Sequence, residues 1–302
     1  MSAVKSRNRI KMARSMVLFQ MLGYLFILFI AAACVLPFLV LLSSSFSSEH
    51  AISHFGYGLL PREFTTEAYG MIFKHPQAIL KAYGVSFYVT GVGTALGLLI
   101  TAMTAYVLSR KDFLYRNAIS FYFFFTTLFS GGLVSTYIFI IRYLHMKDSL
   151  MSIILPSMIN VFYLLIMRSF MNEVPSAVIE SAKIDGAGEF RIFFQLVLPL
   201  TKAGLATIGL FLALGYWNDW YSAMLYITDR DKWPLQYMLY DLLSKVQALS
   251  SLSLQANISL VDLPSQSLRL AMTVVATGPI ILVYPFVQKY FVKGVTIGAV
   301  KG

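Results

Sequence analysis

Six times along its 302 residues the chain runs apolar for about 20 residues or more, the length a helix needs to cross a hydrocarbon core about 30 Å thick. The runs cover about residues 17–42, 83–108, 118–141, 150–170, 203–225 and 268–288. Only 13% of the residues are charged, roughly half the share of a soluble domain, which is too few to cover a water-facing surface. Lipid must be the solvent for much of the chain. The sequence therefore predicts an all-α, polytopic integral membrane protein with six transmembrane helices, forming a single transmembrane domain over residues 1–302.

Charge sets the orientation. Of the 24 Lys and Arg, 15 fall on the side of the membrane that holds the N-terminus and nine on the other, and positive residues resist translocation. Both termini are thus expected in the cytoplasm, and the net charge of +10 reads as a membrane bias with no nucleic-acid partner. The basic start and the apolar run after it exceed a signal-peptide core of about 7–15 residues, so 17–42 is read as an uncleaved first helix. Cys34 is the sole cysteine, which excludes an internal disulfide framework or a Cys-based zinc site. Two long connections, 43–82 and 226–267, lie on the outer side. In the second, Pro234 opens a helix whose Leu235, Met238, Leu239, Leu242 and Leu243 recur at helical spacing, either packed on their own domain or offered to a partner.

Between the fourth and fifth runs lies a cytoplasmic loop, residues 172–199. Pro175 suits a helix start, Ala177 to Ile184 are good helix formers, and Gly186 can take the left-handed conformation that ends a helix. A second short helix should follow, with Glu189 near its positive end and Pro199 before the next span. The result is a helix–turn–helix knob whose small residues, Ser181, Ala182, Gly186, Ala187 and Gly188, admit close approach by another protein.

The spacing Glu180-Ser181-Ala182, Gly186, then Leu196-Val197-Leu198-Pro199 resembles the EAA loop of binding-protein-dependent ABC permeases, with Ser181 in place of the usual Ala and Leu196 in place of Ile. The resemblance implies the type I importer permease fold, with a permease core over about 83–290. It also implies that Glu180, Ser181, Ala182, Asp185, Gly186 and Ala187 form a coupling helix that docks on an ATPase subunit. Tyr284-Pro285-Phe286 through Gly294, with Gly298 to Gly302, resembles the end of carbohydrate-uptake permeases of the maltose-type class. Phe129 to Tyr137 resembles the subset serving complex or acidic oligosaccharides derived from alginate, xylan (aldouronate) or pectin, with Ser135 where that subset has proline. The implied assembly holds a second homologous permease, two ATPase subunits and an extracytoplasmic sugar-binding protein in a bacterial plasma membrane. No cofactor is expected on this chain: no phosphate-binding G-x-x-x-x-G-K-[ST] occurs, so ATP and Mg²⁺ belong to the ATPase subunits and the chain is not itself an enzyme. The alternative class is a secondary transporter driven by an ion gradient, for which Asp219 is the one intramembrane candidate.

A sugar path needs hydrogen-bonding groups and flat apolar faces. Trp217, Asn218, Asp219, Trp220 and Tyr221 offer both in the fifth run, and they equally fit an aromatic belt at the membrane boundary. Counting along a continuous helix places Asp219 in its outer third. Asn160, central in the fourth run, either lines the path or bonds a neighbouring helix. His50 and His54 lack companion ligands, so no metal is expected, and Gly91, Gly93 and Gly97 read as points of close helix packing.

Overall fold

The computed structural model describes residues 14–74, 76–256, 266–279 and 281. The described residues are mostly helical, with one isolated extended pairing, between Ser47 and Phe64. Contacts divide the chain into residues 1–72 with 261–274, and residues 73–260 with 275–302.

In the first unit, α1 (Arg14–Ser45) is apolar on all sides. Its stretch Leu18–Ser45 is 28 residues, about 42 Å of helix, and its most apolar 18-residue window leaves its side chains outside the protein interior, as a lipid-facing span does. Three buried serines, Ser43 to Ser45, end it, and Ser45 Oγ shares a 2.7 Å hydrogen bond with Tyr69 Oη. The residues that follow are folded rather than loose. Ser48 caps α2 (Glu49–Phe55) by accepting the Ala51 amide at 3.0 Å, and α3 (Glu67–Ile72) closes the segment. Phe46 stacks on Phe64 and Tyr69, and the Glu49 carboxylate accepts the amides of Gln266 and Ser267 at about 3.0 Å.

The second unit is organised by α4 (Pro76–Ser109), whose 34 residues extend about 51 Å and so outrun both edges of a bilayer core. It is followed by α5 (Arg116–Leu128) and α6 (Gly132–Ile138), the latter prolonged by a π turn over Phe139–Tyr143. Next come α7 (Met151–Ile154), α8 (Val161–Asn172), α9 (Ser176–Ile184) and α10 (Glu189–Arg191). The unit continues with α11 (Leu198–Leu200), α12 (Lys202–Trp217), α13 (Tyr221–Tyr226) and α14 (Leu235–Ala256).

Two expected spans bend, and a third bend lies just before the fifth. The run at 118–141 turns through 113° between Leu128 and Gly132, where Phe129 is extended and Gly132 takes φ +81°. The run at 150–170 turns through 55° between Ser157 and Val161, and the leg before α12 meets it at 84° beside Thr201. The fifth run also stops early: α12 ends at Trp217, so Asp219 lies beyond the helix and not in its outer third. Of the sixth run, helix is described over residues 266–279; the C-terminal motifs from Tyr284 onward and the basic residues Lys5 to Lys11 lie outside the described residues.

Small residues let α8 and α12 close on α4. A Cβ on Gly93 would sit 2.7 Å from the Tyr216 ring, and one on Gly97 would sit 3.0 Å from the Met158 carbonyl oxygen. Gly91 faces open space, so the packing expectation does not extend to it. Tyr216 cannot swing aside freely, because its hydroxyl donates to the Ile154 carbonyl at 2.9 Å. α14 lies on its own unit: its first amide, Leu235, donates to Ser86 Oγ at 2.8 Å, and Leu235 and Leu239 are buried.

Candidate functional site

Two places in the second unit gather the residues singled out by the sequence. The first is the knob. α9 begins after Pro175, whose fixed φ precedes the helix, and ends in a left-handed Gly186 at φ +77°. The Ala187 amide donates back to the Ala182 carbonyl at 2.9 Å, the closing bond of a glycine-terminated helix. α10, a π turn over Ile192–Val197 and α11 form the returning leg.

The knob has two faces. Ala182 turns inward and is buried with Ala105, Tyr106, Ile192 and Phe193, which corrects the expectation that it offers a surface for close approach. Glu180, Ser181, Asp185 and Gly186 are exposed, with Ala187 half-buried. Beside them Ile184 is 86% and Phe190 72% exposed, two large apolar side chains that water alone would not favour there.

Charges tie the inner face to the end of α4. Tyr106 Oη donates to Glu189 Oε2 at 2.6 Å, and Lys183 Nζ lies 3.0 Å from both Glu189 and Asp112. Arg110 grips Asp112 through two hydrogen bonds of 3.1 and 2.7 Å. The Arg110 guanidinium and then Lys183 hold the Asp112 carboxyl well below the usual carboxylate range, and the Tyr106 hydroxyl followed by Lys183 lowers that of Glu189. Burial of Ile192 and Phe193, about 1.5–3 kcal/mol each, outweighs exposed ion pairs, so packing attaches the knob and the charges fix its register.

The second place is a cleft of about 460 Å³ where α8, α12 and α13 begin or end. It brings together Asn160, Asn218 and Asp219. Each sits at a helix break. Asn160 Oδ1 accepts the amides of Phe162 and Tyr163 at 2.9 and 3.3 Å, so it starts α8 and does not bond a neighbouring helix. Asn218 Nδ2 donates to the Leu214 carbonyl at 2.9 Å, and Asp219 Oδ1 accepts the Ser222 amide at 2.9 Å to start α13.

Trp217, Trp220 and Tyr221 do not line this cleft. Trp217 is buried, edge-on to Phe87, with its indole N–H donating to the Ala276 carbonyl at 3.3 Å. Trp220 stacks on Tyr240 with centroids 4.1 Å apart, and Tyr221 stands edge-on to Trp220. The cleft instead takes its aromatic wall from Tyr163 and Phe211, nearly parallel at 13° with centroids 5.8 Å apart. Sequence reasoning passed over both. Their signal was spacing: Tyr163 follows Asn160 by three residues, and Phe211, Gly215 and Asn218 recur at helical intervals.

A mostly helical chain that has, among the described residues, two unbroken apolar spans, three bent helix pairs and polar groups collected at the breaks is a membrane subunit of the permease kind. No family model matches the chain. It is 41% identical, over 94% of its length and 99% of the relative's, to the polygalacturonan/rhamnogalacturonan transport system permease protein YtcP of Bacillus subtilis (strain 168). The arabinooligosaccharides transport system permease protein AraQ of Halalkalibacterium halodurans is 27% identical over 93% of this chain and 95% of its own. A crystal structure of a bacterial ABC transporter involved in the import of the acidic polysaccharide alginate superposes with a TM-score of 0.78 at 27% identity, covering 93% of this chain and 99% of that one. The chain belongs to the ABC transporter permeases of the carbohydrate-uptake class, integral membrane subunits of oligosaccharide importers.

Proposed function

We propose that this chain forms one half of the sugar path of an ATP-driven importer for uronate-containing oligosaccharides, and that its knob is the coupling element. Its partners are a second, homologous permease, two ATPase subunits and an extracytoplasmic binding protein. ATP and Mg²⁺ sit in the ATPase subunits, and this chain catalyses no reaction. Both termini lie in the cytoplasm, in keeping with the distribution of Lys and Arg.

The observation that carries the reading is the two-faced knob. Its inner face is fastened to α4 through Tyr106, Arg110, Asp112, Lys183 and Glu189, while Glu180, Ile184 and Phe190 stand outward. Closure of the ATPase dimer pushes on the outer face, the fastening passes the displacement to α4, and the packed α4, α8 and α12 carry it to the cleft. Differential affinity of ATP for the closed ATPase state drives the switch. The substrate class is supported by the relatives named for rhamnogalacturonan and polygalacturonan transport and by the alginate importer of like fold.

The test is Gly186→Asp in the complex co-purified with its ATPase and second permease. A side chain at Gly186 meets nothing of the described chain within 4 Å, but the left-handed backbone strains any side chain there, so Gly186→Asn, with the same shape and strain and no charge, is the control that isolates the effect of charge on the docked partner. Sugar-stimulated ATP turnover is expected to fall by at least about tenfold while membrane insertion is retained, a loss of ~1.4 kcal/mol or more in coupling. Unchanged turnover would remove the knob from its assigned role, and isolation of the chain alone with ion-coupled uptake would replace the importer reading with that of a secondary transporter.

A further inference from the structure

The polar groups of the cleft do not form a neutral set. Asn160 spends its carbonyl oxygen on two backbone amides, which leaves its NH₂ as a donor. Asn218 uses one N–H on Leu214, which leaves its second N–H as a donor and its carbonyl oxygen as an acceptor. Among the described residues the Asp219 carboxylate accepts one hydrogen bond, from Ser222 to Oδ1, and Oδ2 is left for a ligand. Among the described residues no Lys, Arg or His lines the cleft. The stacked pair of Tyr163 and Phe211 also lines the cleft. The cleft therefore offers amide donors and acceptors together with one carboxylate that no cation faces among the described residues, and it has aromatic side chains in its lining.

Hydroxyl groups donate to such a surface, and the C–H face of a pyranose ring fits an aromatic wall. Beside Asp219 a uronate carboxylate fares worse than a hydroxyl: it has no proton to give to Oδ2, and it is repelled by the Asp219 charge. We propose that this cleft is an orienting subsite that takes the hydroxyl edge of a sugar ring and turns the ring's carboxylate away from this chain, with Asp219 as the positioning residue. The carboxylates of an acidic oligosaccharide then travel on the side of the path supplied by the second permease. This proposal rests on the reading of the chain as an importer of uronate-containing oligosaccharides.

The test uses the complete importer reconstituted in vesicles, with ATP-dependent uptake of a galacturonate oligomer compared with uptake of its methyl ester, which keeps the hydroxyls and removes the charge. Asp219→Asn keeps an oxygen for the Ser222 amide, so α13 still starts normally, and Asp219→Glu restores the charge. Each variant is compared with wild type on the same sugar, so the binding protein's own preference cancels. In Asp219→Asn, KM for the acid is expected to fall about three- to tenfold and KM for the ester to stay level or rise about threefold, with kcat retained for both. Asp219→Glu should return the acid-to-ester ratio to the wild-type value. Equal shifts for the two sugars, or none, would reduce Asp219 to a helix cap and overturn the proposal. Failure of the wild-type importer to take up either sugar would instead overturn the substrate reading and this proposal with it.

Discussion

The knob and the cleft are both places where apolar helices give way to polar residues, yet they are built in opposite ways. The knob's inner face spends its charges internally: Arg110, Asp112, Lys183 and Glu189 satisfy one another, Tyr106 closes the set, and the outward face carries Glu180, Asp185, Ile184 and Phe190. The cleft spends its polar groups on helix ends and keeps one side of each free, with no opposing charge along its lining. A self-satisfied network holds shape under load, whereas half-satisfied groups are available to a ligand. On the proposed function, force transmission falls to one region and recognition to the other. Substitutions in the knob should therefore change ATP turnover alike for every sugar, and substitutions in the cleft should change KM according to the sugar.

The largest effect is expected in the packing that joins the two regions. Gly93→Ala drives a methyl group into the Tyr216 ring, whose hydroxyl is pinned to Ile154, and overpacking of this kind costs about 1–3 kcal/mol. The thermal midpoint of the purified complex should drop, and by less when Tyr216→Ala is already present, because the two changes share one contact. A Gly93→Ala complex that melts like wild type would mean that α4 and α12 yield easily, and the mechanical link between knob and cleft would fail. The next effect is Tyr106→Phe. Removing its hydrogen bond to Glu189 costs about 1 kcal/mol and frees the knob to rock on α4. Sugar-stimulated ATP turnover should fall severalfold with KM unchanged for the acid and the ester alike. A sugar-dependent change in KM would erase the division of labour.

The knob was readable in the sequence and the cleft only in part, for a physical reason. Pro175, the helix formers after it and Gly186 are local signals, each acting through its own backbone, and the structure places a helix between them. What the sequence hid was which side faced inward: Ala182 looked like a docking surface and is packed under Ile192 and Phe193, a contact made across a turn. The apolar runs announced membrane helices, but hydropathy is blind to direction, so the bends at Phe129–Gly132 and Asn160 passed as continuous spans. Trp217 and Asp219 are two residues apart, yet one is buried and the other opens on the cleft, because α12 ends between them. Asn160 and Asn218 came together through tertiary packing, which no single run of sequence records.

Acid separates the regions in a smaller way. Glu189 and Asp112 titrate lower in the folded chain than in the unfolded one, so their contribution is fully present above the unfolded values of about 4 and is lost as pH falls through the folded ones. Attachment of the knob should be flat from about pH 5 to 8 and loosen only in stronger acid, read as faster hydrogen exchange along α9. Asp112→Asn should advance that loosening to neutral pH. The smallest effect belongs to Asp148, at φ +56°, which accepts the Thr228 hydroxyl at 2.7 Å and the amides of Thr228 and Asp229. The Thr228 hydroxyl and then these amides hold its carboxyl down to about 2, so its contribution too persists above the ordinary carboxylate range and fades as pH falls toward 2. Because Asp148 touches neither the knob nor the cleft, Asp148→Asn should quicken exchange at residues 226–229 alone. A change in ATP turnover or in sugar preference would show that this outer turn is coupled to one of the two regions, and which quantity moved would say which.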